Sequence, residues 1–309
     1  MVISTFAGRL DVPGICRRIL RLPLRVLFCL SGNSAAVLLF GATGGYTVGI
    51  RTAASSSGAG YLSKQEAQAS ALISTSPGIG FSVLTVGISL FGSSSVGWLL
   101  FAAVTLGNLF SGAICNHLLM RLHRRNKPEI PDRLPAAPTS KKEIRISDSL
   151  IGAVRDSIKA VAGMCGWILL FTVCSSVFTA VFPFPAIRSF LEITDAVRYA
   201  YSRQDLPLAA FSLGFGGISV FLQVLSDLKA MDCPAASYFL YRTAGGSVSY
   251  LIMQALVNAF PHAVQTARKN GIPFLPRTNS LPLILSLCLM TVVFMASVSE
   301  KTRDRPVCR

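Results

Sequence analysis

The chain runs as long apolar stretches separated by short polar turns. Candidate spans lie near 34–54, 71–91, 96–120, 157–182, 206–228, 244–260 and 280–298. Val96 to Leu119 (VGWLLFAAVTLGNLFSGAICNHLL), Gly163 to Phe182 (GMCGWILLFTVCSSVFTAVF) and Ser280 to Val298 (SLPLILSLCLMTVVFMASV) contain no Asp, Glu, Lys or Arg. Stretches approaching ~20 apolar residues match the hydrocarbon core of a bilayer. The pattern predicts an all-α, polytopic helical membrane protein with about 7–8 spans or re-entrant segments.

Gly41 to Ala67 (GATGGYTVGIRTAASSSGAGYLSKQEA) departs from a smooth span. Gly44 and Gly45 sit where the helix should continue, and Tyr46, Thr47 and then Arg51 follow. Glycine costs roughly 1 kcal/mol relative to alanine inside a helix. In lipid the freed backbone groups need other partners, so a break is tolerated where it is buried in protein or lines a polar cavity. A half-helix start offers N–H donors and the positive dipole end to a polar or anionic group. Close helix packing is the alternative reading of the paired glycines. Headgroup anchoring is the alternative for Arg51.

Two further segments carry polar groups. In Leu62 to Phe81, Ser63 and Glu66 form a capping-box pattern, and Pro77-Gly78 interrupt the helix after Ser74, Thr75 and Ser76. Those hydroxyls either back-bond to the preceding turn or line a polar path. Phe190 to Tyr201 (FLEITDAVRYAY) holds Glu192, Thr194 and Asp195. It reads as an interfacial amphipathic helix, or as a functional site if Glu192 enters the bilayer.

Composition agrees with a membrane protein. Of 309 residues, 51% are hydrophobic and 14% charged, against ~25% charged in a soluble domain. Net charge is +15, from 29 Lys+Arg and 14 Asp+Glu. Arg121 to Arg145 carries eight Lys/Arg and three acids without interleaved aromatics. That points to a cytoplasmic loop and anionic headgroups, not to nucleic acid. The eight cysteines form no CxxC pair, and His117, His123 and His262 are scattered. No disulfide framework, metal site or cofactor is expected; His117 reads as an interfacial histidine. Cys16 to Leu30 places Arg17, Arg18, Arg21 and Arg25 on one helical face, with Pro23 expected to bend it. Such a helix can lie in the interface; it is not a secretory signal. Counting spans from a cytoplasmic 121–147 loop puts the tail inside and the arginine-rich N-terminus outside. Either Arg17 to Leu30 is a further short crossing, or some spans are re-entrant.

The two halves resemble each other. The register that lays Gly44-Gly45 on Gly216-Gly217 also lays Thr47 on Ser219, Val48 on Val220, Arg51 on Gln223 and Pro13 on Pro185. After a gap of four, Thr75 falls on Thr243 and Gly78 on Gly246. Internal repeats with interrupted helices in matching places point to a transporter site near mid-membrane. The expected organisation is a first membrane repeat (12–120), a basic cytoplasmic loop (121–147), an amphipathic plus linking transmembrane helix (148–183), a second repeat (184–298) and a basic tail (299–309).

GGYTVGIRTAA, followed by GYLSKQEAQASALISTSPGIGF, resembles the first signature of the YlbJ-type sporulation integral membrane proteins. That signature is a Gly-Tyr-Pro-x-Gly-x-Lys segment, an acidic-capped helix and a Pro-Gly break. FLEIT with LGFGGISVFLQVLS resembles the second. The resemblance spans roughly residues 12 to 260 and implies nucleoside-recognition, or Gate, domains. It implies a bacterial cell-membrane protein that serves spore envelope, notably cortex, formation. Thr47 stands where the family has proline and Arg51 where it has lysine. The family also has further hydrophobic sequence before the Arg17 helix, so an upstream segment is expected.

These readings converge on a multi-pass cell-membrane protein of sporulation that moves a small polar solute. Membrane lipids, sporulation membrane proteins and a second copy are the expected partners. The expected solute-binding residues are Gly44, Gly45, Tyr46, Thr47, Arg51, Ser76, Pro77, Gly78, Glu192, Thr194, Gly216, Gly217, Ser219 and Gln223. A non-transporting scaffold for spore-envelope assembly is the alternative. No nucleophile elbow, HExxH or P-loop is present, so an enzyme is not expected.

Overall fold

The computed structural model describes residues 12–122, 146–181 and 190–261. The expected span at 280–298, the tail and nearly all of the basic loop lie outside these residues. The described residues are helical with short turns, and no strand occurs among them. In order they form α1 (Val12–Phe28), a 3₁₀ turn (Gly32–Ser34), α2 (Ala35–Gly44), α3 (Tyr46–Gly58), α4 (Lys64–Ser74) and a π-helical segment (Gly80–Leu90). α5 (Ser94–Leu122), α6 (Ile146–Val181), α7 (Ile193–Ser202), α8 (Leu206–Phe215), α9 (Gly217–Ala230) and α10 (Ala235–Ala259) follow.

The predicted breaks fall where expected in the first half. Gly45 separates α2 from α3 at φ +94°, and Gly78 adopts φ +73° after α4. In the second half Gly216, at φ +85°, separates α8 from α9. The partner expected for Gly78 behaves differently: α10 runs unbroken through Gly245 and Gly246. No proline stands beside that pair to remove a backbone donor. Likewise Pro23 lies inside α1 without ending it.

The breaks bear on the span count. Ser94–His117 and Leu206–Ala230 are long and apolar enough to cross a membrane. Counted as one span, the pair Arg17–Phe28 and Gly32–Gly44, bent by 108°, makes up to three among the described residues. The expected 34–54 and 71–91 spans are cut into helices of 10, 13 and 11 residues and an 11-residue π segment. Each is too short to cross alone. The expected 244–260 span lies within α10, whose Tyr, Ser, Asn and Gln make it too polar for that test.

Helix starts follow the local sequence. Ser63 caps α4, its Oγ accepting from the Glu66 N–H at 3.2 Å. The Glu66 carboxylate does not complete the box; it accepts instead from the Ser31 N–H at 2.6 Å and so pins the α1–α2 turn. Asp205 caps α8 through the Leu208 N–H.

Packing uses small residues at close crossings, as membrane helices often do. A Cβ on Gly87 would come within 2.4 Å of the Gly97 Cα, one on Gly214 within 2.6 Å of the Gly246 Cα, and one on Gly41 within 2.3 Å of the Ser74 oxygen. One buried cluster joins the π segment, α5, α7, α8 and α10 through Val86, Leu100, Val197, Leu213 and Met253. A second joins α2, α3, α4, α9 and α10 through Val37, Ile50, Ala71, Val224 and Tyr238. Gly41→Ala should therefore lower stability by about 1–3 kcal/mol. Gly58→Ala, with nothing within 4 Å, should leave it unchanged or raise it by about 0.5–1 kcal/mol. Thermal unfolding in detergent of the two variants checks the contrast.

Candidate functional site

The two glycine breaks meet. A Cβ on Gly78 would lie 3.0 Å from the Gly45 nitrogen, so the first break touches the Pro77-Gly78 break backbone to backbone. Tyr46, the first residue of α3, donates its hydroxyl to the Leu213 carbonyl at 2.6 Å. A Cβ on Gly216 would lie 3.6 Å from the Tyr46 ring. Gly217 approaches the Leu191–Ile193 backbone, where the Glu192 turn begins. Gly44, Gly45, Tyr46, Pro77, Gly78, Gly216 and Gly217 thus form one region. Ser76 joins it by donating to the Gly41 carbonyl at 3.3 Å.

At its centre lies Arg242, a residue the sequence reading passed over. It is 2% exposed and among the largest fully buried side chains of the described residues. Its Nη1 donates to the Thr75 carbonyl at 2.6 Å, Nε to Phe215 O at 3.2 Å and Nη2 to Leu213 O at 3.4 Å. Its guanidinium also stands 5.2 Å from the Tyr46 ring centroid. These carbonyls end two interrupted helices: Leu213 and Phe215 close α8, and Thr75 follows the last residue of α4. A helix C-terminus carries roughly −0.5 charge, so two such ends approximately balance one guanidinium. Asn108 of α5 donates a further bond to Thr75 O at 2.7 Å. A charged residue in a candidate membrane segment, between Tyr241 and the Gly245-Gly246 pair, was the signal available, by the same rule that drew attention to Glu192.

The half-helices that begin at the breaks are left open at their starts. Neither Gly45 nor Gly216 provides a side-chain cap to α3 or α9. Thr47 and Ser219, matched in the repeat, lie 2% and 1% exposed just inside those starts. Neither hydroxyl has a hydrogen-bond partner. An unpaired buried hydroxyl costs about 1–3 kcal/mol.

Glu192 is neither in a helix interior nor at a lipid-facing surface. It is the buried N-cap of α7, its carboxylate accepting from Thr194 N–H at 2.6 Å, Asp195 N–H at 3.0 Å and Thr194 Oγ1 at 3.0 Å. Burial pushes the carboxyl up from its ordinary value, and the backbone and hydroxyl donors pull against that. Arg51 stands apart from the meeting point. Its side chain is 50% exposed, and Nε lies 3.4 Å from Asp227 Oδ2. Asp227, one helical turn beyond Gln223, was not singled out by the repeat. Gln223 is partly buried on α9. An open depression of about 330 Å³, lined by Arg203, Asp205, Tyr250 and Gln254, sits at the α7–α8 turn, not between the breaks. Among the described residues no group of His, Cys, Asp or Glu is placed to hold a metal.

The chain is 27% identical over 275 residues to the sporulation integral membrane protein YlbJ of Bacillus subtilis (strain 168). The match covers 75% of this chain and 66% of that relative, just under two thirds of its length. No family model matches the chain, and no solved structure matches it.

Proposed function

From its kinship with the YlbJ-type sporulation integral membrane proteins, we propose that this chain is a multi-pass protein of the cell membrane that moves a small polar solute during sporulation. The observation that carries the reading is the matched pair of buried, partnerless hydroxyls, Thr47 and Ser219. Each lies at the uncapped start of a half-helix, and the two breaks meet at Tyr46. A passive scaffold gains nothing from paired hydroxyls that stay unbonded. A binding site gains donors and acceptors free to exchange water for solute. Solute engages Thr47, Ser219 and the open N–H groups of α3 and α9, while Arg242 and Tyr46 hold the breaks in register. Arg51 and Gln223 lie about 6–8 Å further along their half-helices at ~1.5 Å per residue and line the approach.

The test is complementation of a sporulation defect, with membrane abundance measured by immunoblot. Thr47→Val and Ser219→Ala should each weaken function by roughly 2- to 10-fold per lost bond, with abundance unchanged or higher. Arg51→Gln should lose function and Arg51→Lys keep part of it. Full function in the Thr47→Val/Ser219→Ala double variant overturns the reading. Full recovery by the swap Arg51→Asp/Asp227→Arg returns Arg51 to a structural ion pair. A ligand-dependent thermal shift across nucleosides, dipicolinate, amino sugars and metal ions then narrows the solute.

A further inference from the structure

We infer that α1 is a lipid-surface helix that docks on the anionic phospholipid headgroup layer at the rim of the membrane. Its side chains fall into three sectors on a wheel of ~100° per residue. Leu20, Leu24 and Phe28 pack into the protein against Leu38, Ala69, Leu109 and Ala113. Ile19, Leu22, Val26 and Leu27 form a second sector that nothing in the described protein covers, with Leu22 76% exposed. Arg18, Arg21 and Arg25, all exposed, form the third, adjoining the exposed apolar sector on the side of Leu22, while Arg17 falls beside Leu24 and Phe28 against the Gly32 turn. A helix packed on its protein through Leu20, Leu24 and Phe28, with an exposed apolar sector and exposed arginines beside it, matches an acyl–headgroup boundary.

Two further features set its depth and direction. Asn116 Nδ2 donates to the Phe28 carbonyl at 3.2 Å, and His117 Nε2 lies 3.1 Å from the Leu27 carbonyl. His117 is the last residue of the candidate span Ser94–His117. The C-terminal end of α1 is therefore tied to the level at which that span leaves the hydrocarbon. The chain then turns by 108° into Gly32–Gly44, through Cys29 at φ +53° and the Ser31–Glu66 bond. With α2 running into the bilayer, α1 lies nearly in its plane. At ~1.5 Å per residue its 17 residues reach about 25 Å along the surface. The exposed Arg18 guanidinium then meets phosphates by charge-assisted hydrogen bonds, while the apolar sector enters the upper acyl region.

The experiment uses the full chain with Trp98→Phe, Trp167→Phe and Leu22→Trp, reconstituted in phosphatidylcholine vesicles with and without phosphatidylglycerol. Ile19→Trp is the second reporter, in case the first fails to fold. Tryptophan emission should be quenched most by lipids brominated near the headgroup end of the acyl chain and less by mid-chain bromine. Brominated phosphatidylglycerol should quench more than brominated phosphatidylcholine. Arg18→Gln should reduce that preference by up to about fivefold, the effect of about one basic residue at an anionic surface. Strongest quenching from the bilayer centre, quenching only by aqueous iodide, or equal quenching by the two headgroups would each overturn the inference.

Discussion

Arg242→Met should lower stability by about 3–5 kcal/mol, the largest loss expected of any single substitution here. The methionine fills similar volume, so the loss reports on the carbonyls. Leu213 O keeps the Tyr46 hydroxyl and Thr75 O keeps Asn108, but Phe215 O is left without its donor. The two helix ends also lose the charge that balances their dipoles. Relief of the buried cation's desolvation offsets part of this, which places the value below three full charge-assisted bonds at about 1.5–3 kcal/mol each. Arg242→Lys keeps the charge but presents a point donor where a planar fork bridges three carbonyls, and should fall between. Thermal unfolding of purified protein in detergent measures both. An unchanged midpoint for Arg242→Met would sink the assignment of Arg242 as the clasp between the breaks.

Glu192→Ala should cost about 2–4 kcal/mol. Loss of an N-cap alone is worth about 0.5–2 kcal/mol. Here the site is buried, so the Thr194 hydroxyl and two backbone N–H groups are stranded away from water, which adds a desolvation penalty. Glu192→Gln keeps one acceptor oxygen and should recover about half. Hydrogen exchange at Thr194 and Asp195 separates the mechanism from a general loss of packing. Both amides should exchange faster in Glu192→Ala, while those in the middle of α9 keep their protection. Equal acceleration throughout would refute the capping role.

The legible features were the local ones. Gly44-Gly45, Gly216-Gly217 and Pro77-Gly78 announce breaks because glycine and proline act on their own backbone. Ser63 announces a helix start because its partner lies three residues ahead. The Glu66 carboxylate was harder, because its real partner is Ser31, 35 positions back. The role of Arg242 was hidden for the same reason: its acceptors Thr75 and Leu213 are separated from it by 167 and 29 positions. The repeat register also places it opposite Ser74, which carries no charge to draw attention. The span count is less legible, because hydropathy sums residues without asking whether their helix is continuous, and Gly45 and Gly78 interrupt two apolar windows.

The contact between Gly45 and Gly78 has a genetic meaning. A side chain at residue 78 would strike the residue 45 backbone, at 3.0 and 3.1 Å from its N and Cα. No change at residue 45 can make room, because glycine is already the smallest residue. Gly112 is a different case: an added Cβ would meet the Ile73 side chain at 2.3 Å. There Gly112→Ala should be suppressible by Ile73→Ala, which removes the Cγ1 atom it meets. A suppressor screen should therefore return second-site revertants for residue 112 and only true revertants for residue 78. Lineages of this protein can drift at 112 and 73 as a pair, while 78 stays frozen by the backbone of 45, and 45 by its own positive φ.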